Sequence, residues 1–366
     1  MSDIKKAKEH EWFCERIDRS KFEVVFYQIN DEGSELDDYI RKDGFTTYHG
    51  TVMSKIQLIP VIIELLRVIR KHRITVIHSH LFTASFVGMI AGRIAGVKKR
   101  IHTRHHSNFH HTYHKSTVKY DRLINFLSTD IIAISQNVKQ ILIQLEKVPE
   151  HKVNLIYHGF NIAQFGKEAV KQDRIAQVAS RHGIDMQRTV IGVISRYTHW
   201  KGVQYIIPAF RKLLESYPDL LLVLANAKGD YKPEIQKMLG TLPSGSFIEI
   251  PFENDSAALY QTFDIFVHVP IDPESEAFGQ VYIESLAASI PSVFTLSGIA
   301  SEFIIDNENA LVVPFRSTDH LVEAVNKMLS KSVDLSALEA KGLSDVEQRF
   351  SIDKKVELLQ QLYEGN

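Results

Sequence analysis

The feature that most constrains the fold is a regular alternation of short apolar runs with amphipathic helical patterns along all 366 residues. The first half contains the β-like runs FEVVFYQIN, GFTTYH, ITVIHSH, KRIHTRH, DIIAIS and VNLIYHG, separated by helical patterns such as that of Lys55–His72. The second half repeats the scheme with TVIGVIS, DLLLVLAN, SFIEIP, DIFVHV, PSVFTL and ALVVP. Strands separated by helices pair in parallel, so the pattern predicts an α/β fold built on parallel sheets.

Length and composition set the number of domains. A chain of 366 residues with 44% hydrophobic residues can bury two cores. The segment HGFNIAQF lies between the two series of strands, so we predict a first domain over residues 1–160 and a second over residues 161–346. Cys14 is the only cysteine, and the charged N-terminus does not resemble a signal peptide, so we expect a cytoplasmic protein. We expect no nucleic-acid partner.

Two carboxylates stand eight positions apart in EAFGQVYIE, Glu276 to Glu284. The first follows the predicted strand DIFVHV, and the second lies about a turn into the next helix, which Gly279 opens. Free backbone N–H groups and the helix dipole attract phosphate at such a helix start. A bound anion would have one carboxylate near each end, suited to sugar hydroxyls. The pattern indicates a sugar-nucleotide site, and the alternative is a crossover with two solvated glutamates.

A basic turn follows the first predicted strand of the second half, in SRYTHWKG. Arg196 and Lys201 stand five positions apart across this turn, and Gly202 follows. Arginine can bond two phosphate oxygens at once, while lysine adds a mobile point charge, so the pair suits a diphosphate. The turn precedes the acid pair by about 80 residues, and the alternative is a basic loop on the surface.

These motifs resemble those of the family 4, or group 1, branch of the retaining GT-B glycosyltransferases. EAFGQVYIE is similar to its E-x7-E element, and Arg196, Lys201 and Gly202 match its basic turn. The resemblance implies a GT-B fold: two Rossmann-like domains facing across a cleft, with a C-terminal helix within residues 347–366 packing back onto the first. It also implies that Glu276 faces the donor sugar and Glu284 the ribose, and that the donor site includes Phe278, Gly279, Gln280 and Gly298.

Six histidines are concentrated between His102 and His114. His106, His110 and His114 stand four apart, and on a helix they would share one face and could mimic metal ligands. No cysteine or acid completes the set, so we predict no metal site.

The resemblance implies a different role for the start of this segment. Thr103-Arg104-His105 matches a T-x-H element of the family, so His105 would contact the transferred sugar. His78 and His80, in VIHSH, resemble an H-x-H strand end of the family. Two roles stay open for this pair, binding a ligand or tying loops together.

The function implied is transfer of a sugar from a UDP- or GDP-sugar to an acceptor, such as a lipid-linked or cell-surface glycan precursor, with retention at the anomeric carbon. We expect no cofactor and no metal. Arg196, Lys201 and the helix start would stabilise the departing diphosphate, and Glu276 and His105 complete the predicted catalytic set. The alternatives are a GT-B sugar-nucleotide epimerase or hydrolase, and a non-catalytic GT-B scaffold.

The scaffold alternative comes from the start of the chain. A Rossmann-like sheet places its first strand centrally, between the second and the fourth. Here the helical piece EHEWFCERI precedes the first β-like run, and Met1–Lys8 is polar and lacks glycine. We therefore expect a first domain that lacks its first strand, with two neighbouring strand edges unpaired and low stability or a rearranged sheet.

Charge is spread unevenly over the chain. Residues 1–160 carry 24 Lys and Arg against 17 Asp and Glu, whereas residues 161–366 carry 19 against 27. The basic first half suggests an acidic partner, and we expect peripheral contact with an anionic membrane surface. The alternative is ordinary scatter of charge between domains.

Overall fold

The computed structural model describes residues 8–30 and 33–365. The chain divides into two compact units, which consist of Met1–Phe160 with Ser351–Asn366 (unit 1) and Asn161–Phe350 (unit 2). The last helix of unit 2 ends at Phe350. The chain returns to unit 1 at Ser351, which caps the final helix of the chain. Among the described residues, no helix combines the length and the apolar character needed to cross a bilayer.

Unit 1 alternates strands and helices. Its strands are β1 (Val25–Ile29), β2 (Thr46–Gly50), β3 (Val76–His80), β4 (Lys99–Arg104), β5 (Asp130–Ala133) and β6 (Val153–Leu155). Its helices before the crossing into unit 2 are α1 (Lys8–Arg16), α2 (Glu35–Lys42), α3 (Leu58–Lys71), α4 (Phe82–Ile94), α5 (Phe109–Tyr113), α6 (Val118–Leu127) and α7 (Gln136–Gln140). A short 3₁₀ turn, Lys55–Gln57, leads into α3.

Unit 2 repeats this alternation. Its strands are β7 (Val190–Ile194), β8 (Leu221–Ala225), β9 (Phe247–Ile250), β10 (Ile265–His268), β11 (Ser292–Phe294) and β12 (Leu311–Val312). Its helices are α8 (Gln172–His182), α9 (Val203–Leu214), α10 (Lys232–Leu239), α11 (Ser256–Tyr260), α12 (Gln280–Ala287), α13 (Ala300–Phe303), α14 (Thr318–Leu329) and α15 (Leu335–Phe350). The last helix of the chain, α16 (Ile352–Glu364), belongs to unit 1.

The sheet of unit 2 is parallel and has the order β12-β11-β10-β7-β8-β9. Every residue of β8 and of β10 is buried, as expected for strands covered by helices on both faces. Burying each Leu, Val or Ile side chain of such a strand contributes about 1.5–3 kcal/mol. This core fixes the carboxyl ends of β7 and β10 side by side, because the two strands pair directly.

The strands of unit 1 form two separate parallel sheets among the described residues. One consists of β1 and β2, and the other has the order β3-β4-β5-β6. The strand β1 pairs with β2 alone and β3 with β4 alone within residues 8–30 and 33–365, so each has one unpaired edge. The expected absence of a first strand concerns the start of the chain, where residues 1–7 lie outside the described residues, so it stays a prediction.

Helices α1 and α16 are joined through the half-buried carboxylate of Glu9. Glu9 accepts hydrogen bonds from the Lys355 ammonium and, at 3.0 Å, from the Gly159 backbone N–H, and its carboxyl lies 2.9 Å from His158 Nδ1. Burial would raise the pKa of Glu9, but His158 and Lys355 outweigh it and hold the pKa well below its ordinary value. The ionised carboxylate thus fastens the first and last described helices to the end of β6.

Candidate active site

The two motifs of unit 2 meet at the carboxyl ends of neighbouring strands. Lys201 follows β7 and Glu276 follows β10, and β7 and β10 pair in register at Ile191 and Ile265. The Lys201 ammonium donates a hydrogen bond to Glu276 Oε1. Two residues that are 75 positions apart in sequence therefore form one ion pair, whose side chains are only 16% and 9% exposed.

Glu276 has two further contacts within the same shell. His268, the last residue of β10, places Nε2 3.0 Å from Glu276 Oε1. The backbone N–H of Glu276 donates to Ser297 Oγ at 3.1 Å. Lys201 and His268 thus hold the carboxylate, and Ser297 holds the backbone of the same residue.

The electrostatics of this cluster keep Glu276 ionised. Burial alone would raise its pKa, but Lys201 and the hydrogen bond from His268 outweigh burial and lower the pKa to about 2. Burial also lowers the pKa of His268, although Glu276 opposes the shift. At neutral pH Glu276 can accept hydrogen bonds from hydroxyls, but it carries no proton to donate.

Two glycines allow the loops to approach so closely. Gly202 has φ +77°, and a Cβ there would lie 1.8 Å from the Val269 carbonyl oxygen. Gly298 has φ +57°, and a Cβ there would lie 2.7 Å from Glu276 Cβ. A side chain at either position would displace the backbone that holds Lys201 or Glu276.

The second acid of the pair lies on α12. Gly279 is the N-cap of this helix, and Glu284 is its fifth residue, so the acid stands about a turn from the helix start. Tyr260 donates its hydroxyl hydrogen bond to Glu284 Oε2 at 3.0 Å. The helix start, with Glu276 before it and Glu284 within it, therefore has the arrangement that the sequence predicts.

The remaining donor-site candidates differ in exposure. Arg196 is exposed, as is Gln280 at the first position of α12. Phe278 is 3% exposed, and its ring packs 5.9 Å from that of Phe350. Its carbonyl oxygen accepts from the Ile299 N–H at 2.9 Å. Phe278 therefore supports the loop from inside the core, and its role in donor binding stays a prediction.

The predicted catalytic histidine of unit 1 lies in a cluster of imidazoles. His105 Nε2 is 3.2 Å from His80 Nδ1, and its ring stacks on that of His158 at 5.4 Å. Burial lowers the pKa of His105 well below its ordinary value. His105 is therefore neutral at physiological pH, with Nε2 in contact with His80, and one of its ring nitrogens donates a hydrogen bond while the other accepts one.

The neighbouring His78 ties elements of unit 1 together. Its Nε2 lies 2.7 Å from Thr103 Oγ1 and its Nδ1 2.7 Å from the Tyr363 hydroxyl. Two roles were left open for His78, binding a ligand or tying loops together, and its two contacts here are of the second kind. His80 instead contacts His105.

The prediction that no acid completes the histidine set is wrong. Asp121, on α6, places Oδ2 2.6 Å from His110 Nδ1 and Oδ1 3.5 Å from His106 Nε2. The ligand-type atoms of these three residues lie within 4.8 Å of one another. The acid is brought in by tertiary packing, and α5 begins at Phe109, so His106 precedes the helix that was expected to carry it.

The two carboxylates near these histidines share one cation. Arg104 lies between Asp121 (Nη1 to Oδ1, 3.1 Å) and Glu146 (Nη2 to Oε1, 2.5 Å), and all three are buried. Burial would raise the pKa of Asp121, but His106, His110 and Arg104 lower it below its ordinary value. The prediction that the protein binds no metal stays a prediction.

Comparison with known families identifies the family of the chain. The family model for Glycosyltransferase Family 4 matches residues 13–164, and that for Glycosyl transferases group 1 matches residues 175–342. Together they match most of both units. The chain belongs to the group 1 glycosyltransferases.

Individual relatives of this group 1 glycosyltransferase are distant. It is 26% identical to the uncharacterized glycosyltransferase MJ1607 of Methanocaldococcus jannaschii over 232 residues. This stretch covers 63% of this chain and 58% of that protein. It is 24% identical over 245 residues to the capsular polysaccharide biosynthesis glycosyltransferase CapM of Staphylococcus aureus, 66% of this chain and 63% of that protein. The matched stretch is thus less than two thirds of either relative.

Among solved structures, Anabaena Alr3699/HepE in complex with UDP and glucose has a TM-score of 0.83 at 17% identity, covering 100% of this chain and 98% of that one. At this identity the likeness shows the fold. The predicted α/β class and GT-B fold are confirmed.

His268 and Asp121 were missed from the sequence. His268 ends a strand eight residues before Glu276, and a polar residue at the end of an otherwise apolar strand was the signal that could have indicated it. Asp121 lies on an amphipathic helix whose buried face could not be oriented without the fold. Both act by contacting residues that the motifs had identified.

Proposed function

We propose that this glycosyltransferase transfers a sugar from a nucleoside-diphosphate sugar, UDP- or GDP-linked, to a glycan or lipid-linked acceptor, with retention at the anomeric carbon. The observation that carries the proposal is the ion pair of Lys201 with Glu276, fixed by His268 beside the start of α12. It provides a cation for a diphosphate and an ionised acceptor for sugar hydroxyls in one place.

Each residue has a defined part in this proposal. Lys201 and Arg196 bind the diphosphate with the N-terminal N–H groups of α12, and they stabilise the charge that builds as it departs. Glu276, ionised at neutral pH because its pKa is about 2, orients the donor sugar and does not act as a general acid. Glu284 binds the ribose.

The acceptor side of the reaction follows from the same charges. Lys201 and His268 both bond the carboxylate of Glu276, and Glu276 forms no covalent bond with the sugar. The acceptor hydroxyl attacks the anomeric carbon from the face that the diphosphate leaves, the bond to the phosphate oxygen breaks, and the phosphate takes the hydroxyl proton. His105, neutral because of its burial, orients the transferred sugar by hydrogen bonding.

UDP is the better-supported nucleotide. Solved structures with this fold include Alr3699/HepE in complex with UDP and glucose. A thermal-shift panel of UDP, GDP, ADP and their sugars tests the donor class, because a ligand that binds the folded state raises the melting temperature by mass action. A shift with UDP- or GDP-sugars alone is expected, and no shift with any nucleotide would contradict the proposal.

Product analysis separates transfer from the alternatives. Incubation with donor and a mixed glycan or lipid-linked acceptor should give a new glycoside with the anomeric configuration of the donor, read by NMR. Release of free sugar, or conversion of the donor to a second sugar nucleotide without acceptor, would favour a hydrolase or an epimerase.

An exposed apolar stripe supports contact with a membrane. Ile56, in the 3₁₀ turn before α3, and Ile59 and Ile63, in the first turns of α3, lie three and four positions apart and are 84%, 66% and 45% exposed. This spacing places them on one helical face. Arg67 and Arg70 extend the exposed surface towards the end of the helix. Isoleucines beside cations are typical of a helix that lies in the interface of an anionic bilayer.

Vesicle sedimentation tests this surface. Each isoleucine that enters the lipid contributes about 1.5–3 kcal/mol, and each nearby cation about 1 kcal/mol. The double variant Ile56→Asp/Ile59→Asp should therefore lose binding to phosphatidylserine vesicles, while Ile94→Asp, at an exposed isoleucine on α4, should retain it. Equal binding by all three proteins, or binding that ignores lipid charge and salt, would contradict a membrane-bound acceptor.

A further inference from the structure

Three potential metal ligands meet after β4 in unit 1. They are His106, in the loop that follows β4, His110, on α5, and Asp121, on α6. Asp121 Oδ2 lies 2.6 Å from His110 Nδ1, and Asp121 Oδ1 lies 3.5 Å from His106 Nε2. The ligand-type atoms of all three residues lie within 4.8 Å of one another. Two imidazoles and one carboxylate form a ligand set that zinc sites use.

The spacing of these atoms fits a four-coordinate ion. Bonds of about 2.0–2.2 Å to a tetrahedral Zn²⁺ place its ligand atoms about 3.3 Å from one another. The two distances from Asp121 to the histidines, 2.6 and 3.5 Å, lie on either side of this value. The rings of His106 and His110 are also close, with their centroids 4.0 Å apart. Small rotations of the three side chains are therefore enough to surround the ion.

Burial distinguishes this set from a chance group of surface histidines. The side chains of His106, His110 and Asp121 are 23%, 13% and 2% exposed. His106 Nδ1 is buried and has no hydrogen-bond partner in the described part of the chain. Its Nε2, at 3.5 Å from Asp121, lies beyond the usual range of an N–H···O hydrogen bond. Buried polar groups normally have a partner, and a cation at Nε2 would provide one.

The charges around the set favour a cation. Arg104 lies between Asp121 and Glu146, and the three side chains are at most 3% exposed. One guanidinium thus faces two buried carboxylates, which leaves one negative charge in excess. Arg104 Nη1 contacts Asp121 Oδ1, so Oδ2 is directed at His110. Carboxylates that bind a metal are commonly held by such a second partner. A proton shared by His110 and Asp121 is the alternative way to balance the charge.

A further coordination position is within reach of solvent. His106 and Asp121 line a cavity of about 340 Å³, together with Asn30, Thr103 and His105. This space is large enough to admit several water molecules. Water can therefore reach a cation held by the three side chains, as in zinc sites with three protein ligands and one exchangeable position.

We propose that His106, His110 and Asp121 form a Zn²⁺ site, with water in the fourth position. The prediction of no metal site from the sequence rested on the lack of an acid to complete the histidine set. Asp121 supplies that acid from another helix, so the reason for the prediction no longer holds.

The positions of the ligands give the ion a structural role. The helix α5 has only five residues, and isolated helices of this length are unstable in water. A cation bound by His110 and Asp121 fastens α5 to α6, and through His106 it also holds the loop that begins after His105. The ion takes no part in stabilising the departing diphosphate, which is the task of the cations of unit 2.

Calorimetric titration of the metal-free full chain with Zn²⁺ tests the site. Wild type should bind one Zn²⁺ per chain. His106→Ala and His110→Ala should each weaken binding by about 100-fold or more, because loss of a ligand exceeds the roughly 10–100-fold effect of losing an outer partner. His114→Ala is the matched control, since His114 is exposed on the same segment and lies outside the ligand set. Mg²⁺ should not bind, because it prefers oxygen ligands.

Two measurements on wild type keep the test valid if a variant fails to fold. Zn²⁺ should slow hydrogen exchange at residues 109–113 by about tenfold or more, since binding suppresses local opening of α5. Exchange in β8 should not change. Co²⁺ in place of Zn²⁺ should give the strong visible absorption of a four-coordinate ion, and added Zn²⁺ should remove that absorption.

The proposal is overturned if wild type binds no Zn²⁺ at micromolar concentrations, if exchange at residues 109–113 does not slow, or if His114→Ala weakens binding as much as His110→Ala does. Binding that is lost in His80→Ala but retained in His110→Ala would place the ion on His80 and His105, whose ring nitrogens lie 3.2 Å apart, and would overturn it as well. These readouts involve neither a nucleotide nor turnover, so the proposal stands or fails independently of the proposed function.

Discussion

The ion pair between Lys201 and Glu276 should contribute measurably to the stability of unit 2. Replacing Lys201 with methionine keeps much of the side-chain volume but leaves the Glu276 carboxylate buried without its cation. The pKa of Glu276 is lowered from 4.5 to about 2 in the folded protein, and at about 1.36 kcal/mol per unit this corresponds to roughly 3 kcal/mol. Because both side chains are largely buried, solvent screening removes little of it, and breaking buried pairs typically costs about 3–5 kcal/mol.

The effect has a predictable pH dependence. A carboxyl group whose pKa is lowered by folding contributes stability above its unfolded pKa, and that contribution is lost as the pH falls through the folded value. The difference in unfolding free energy between wild type and Lys201→Met should therefore be constant only above the pKa that Glu276 has in the folded variant, which burial raises once the cation is lost. It should shrink as the pH falls below that value towards the wild-type pKa of about 2.

Urea unfolding followed by tryptophan fluorescence provides the assay. The chain has two tryptophans, Trp12 in unit 1 and Trp200 in unit 2, so a Trp12→Phe background leaves Trp200 to report on unit 2. Lys212→Met is the matched control, because Lys212 pairs with Asp319 at the surface, with side chains 50% and 77% exposed. Such exposed pairs contribute about 0–1 kcal/mol.

The double variant Lys201→Met/Glu276→Gln removes both charges and should recover most of the loss, since an uncharged pair leaves no buried ion. The reasoning is refuted if Lys201→Met costs no more than Lys212→Met, or if the double variant is less stable than either single one.

Three further changes test other parts of the site. Glu284→Ala should weaken nucleotide binding by up to about 3 kcal/mol, as for a lost charged hydrogen bond. An unchanged Kd by calorimetry would contradict the assignment of Glu284 to the ribose. Transfer should persist in excess chelator because Arg196 and Lys201 supply the positive charge, and a loss that Mg²⁺ or Mn²⁺ restores would show the opposite. Gly202→Ala should lower both the melting temperature and turnover, since its Cβ would lie 1.8 Å from a carbonyl oxygen. Gly183→Ala, which also has positive φ but open space around it, should show only the smaller backbone cost of about 1–2 kcal/mol.

Much of the fold could be predicted because the apolar runs of the sequence coincide with the strands of the structure. Runs such as DLLLVLAN are apolar at nearly every position, which occurs in strands buried on both faces, and β8 lies within it. The division of the chain near residue 160 was also predictable, because two series of alternating strands and helices meet there.

The interior of the site could not be predicted to the same depth. The sequence places Lys201 and Glu276 in one site, but their direct contact depends on the pairing of β7 with β10 and on the close approach at Gly202. The carboxylate of Asp121 reaches His106 and His110 only after α6 has packed. Contacts across such sequence distances are set by tertiary packing, which leaves no periodic signal in the chain.

The central claim is that Glu276 acts on the donor sugar and contributes little to binding the nucleotide. The most direct measurement compares wild type with Glu276→Gln in two assays on the same preparation: calorimetric binding of the nucleoside diphosphate, and turnover of the donor sugar. Glutamine keeps the shape and one hydrogen-bond acceptor but removes the negative charge. The account predicts nucleotide affinity within about 1 kcal/mol of wild type, with turnover reduced by about 100-fold or more. Turnover that is retained, or affinity that falls as far as turnover does, would contradict it.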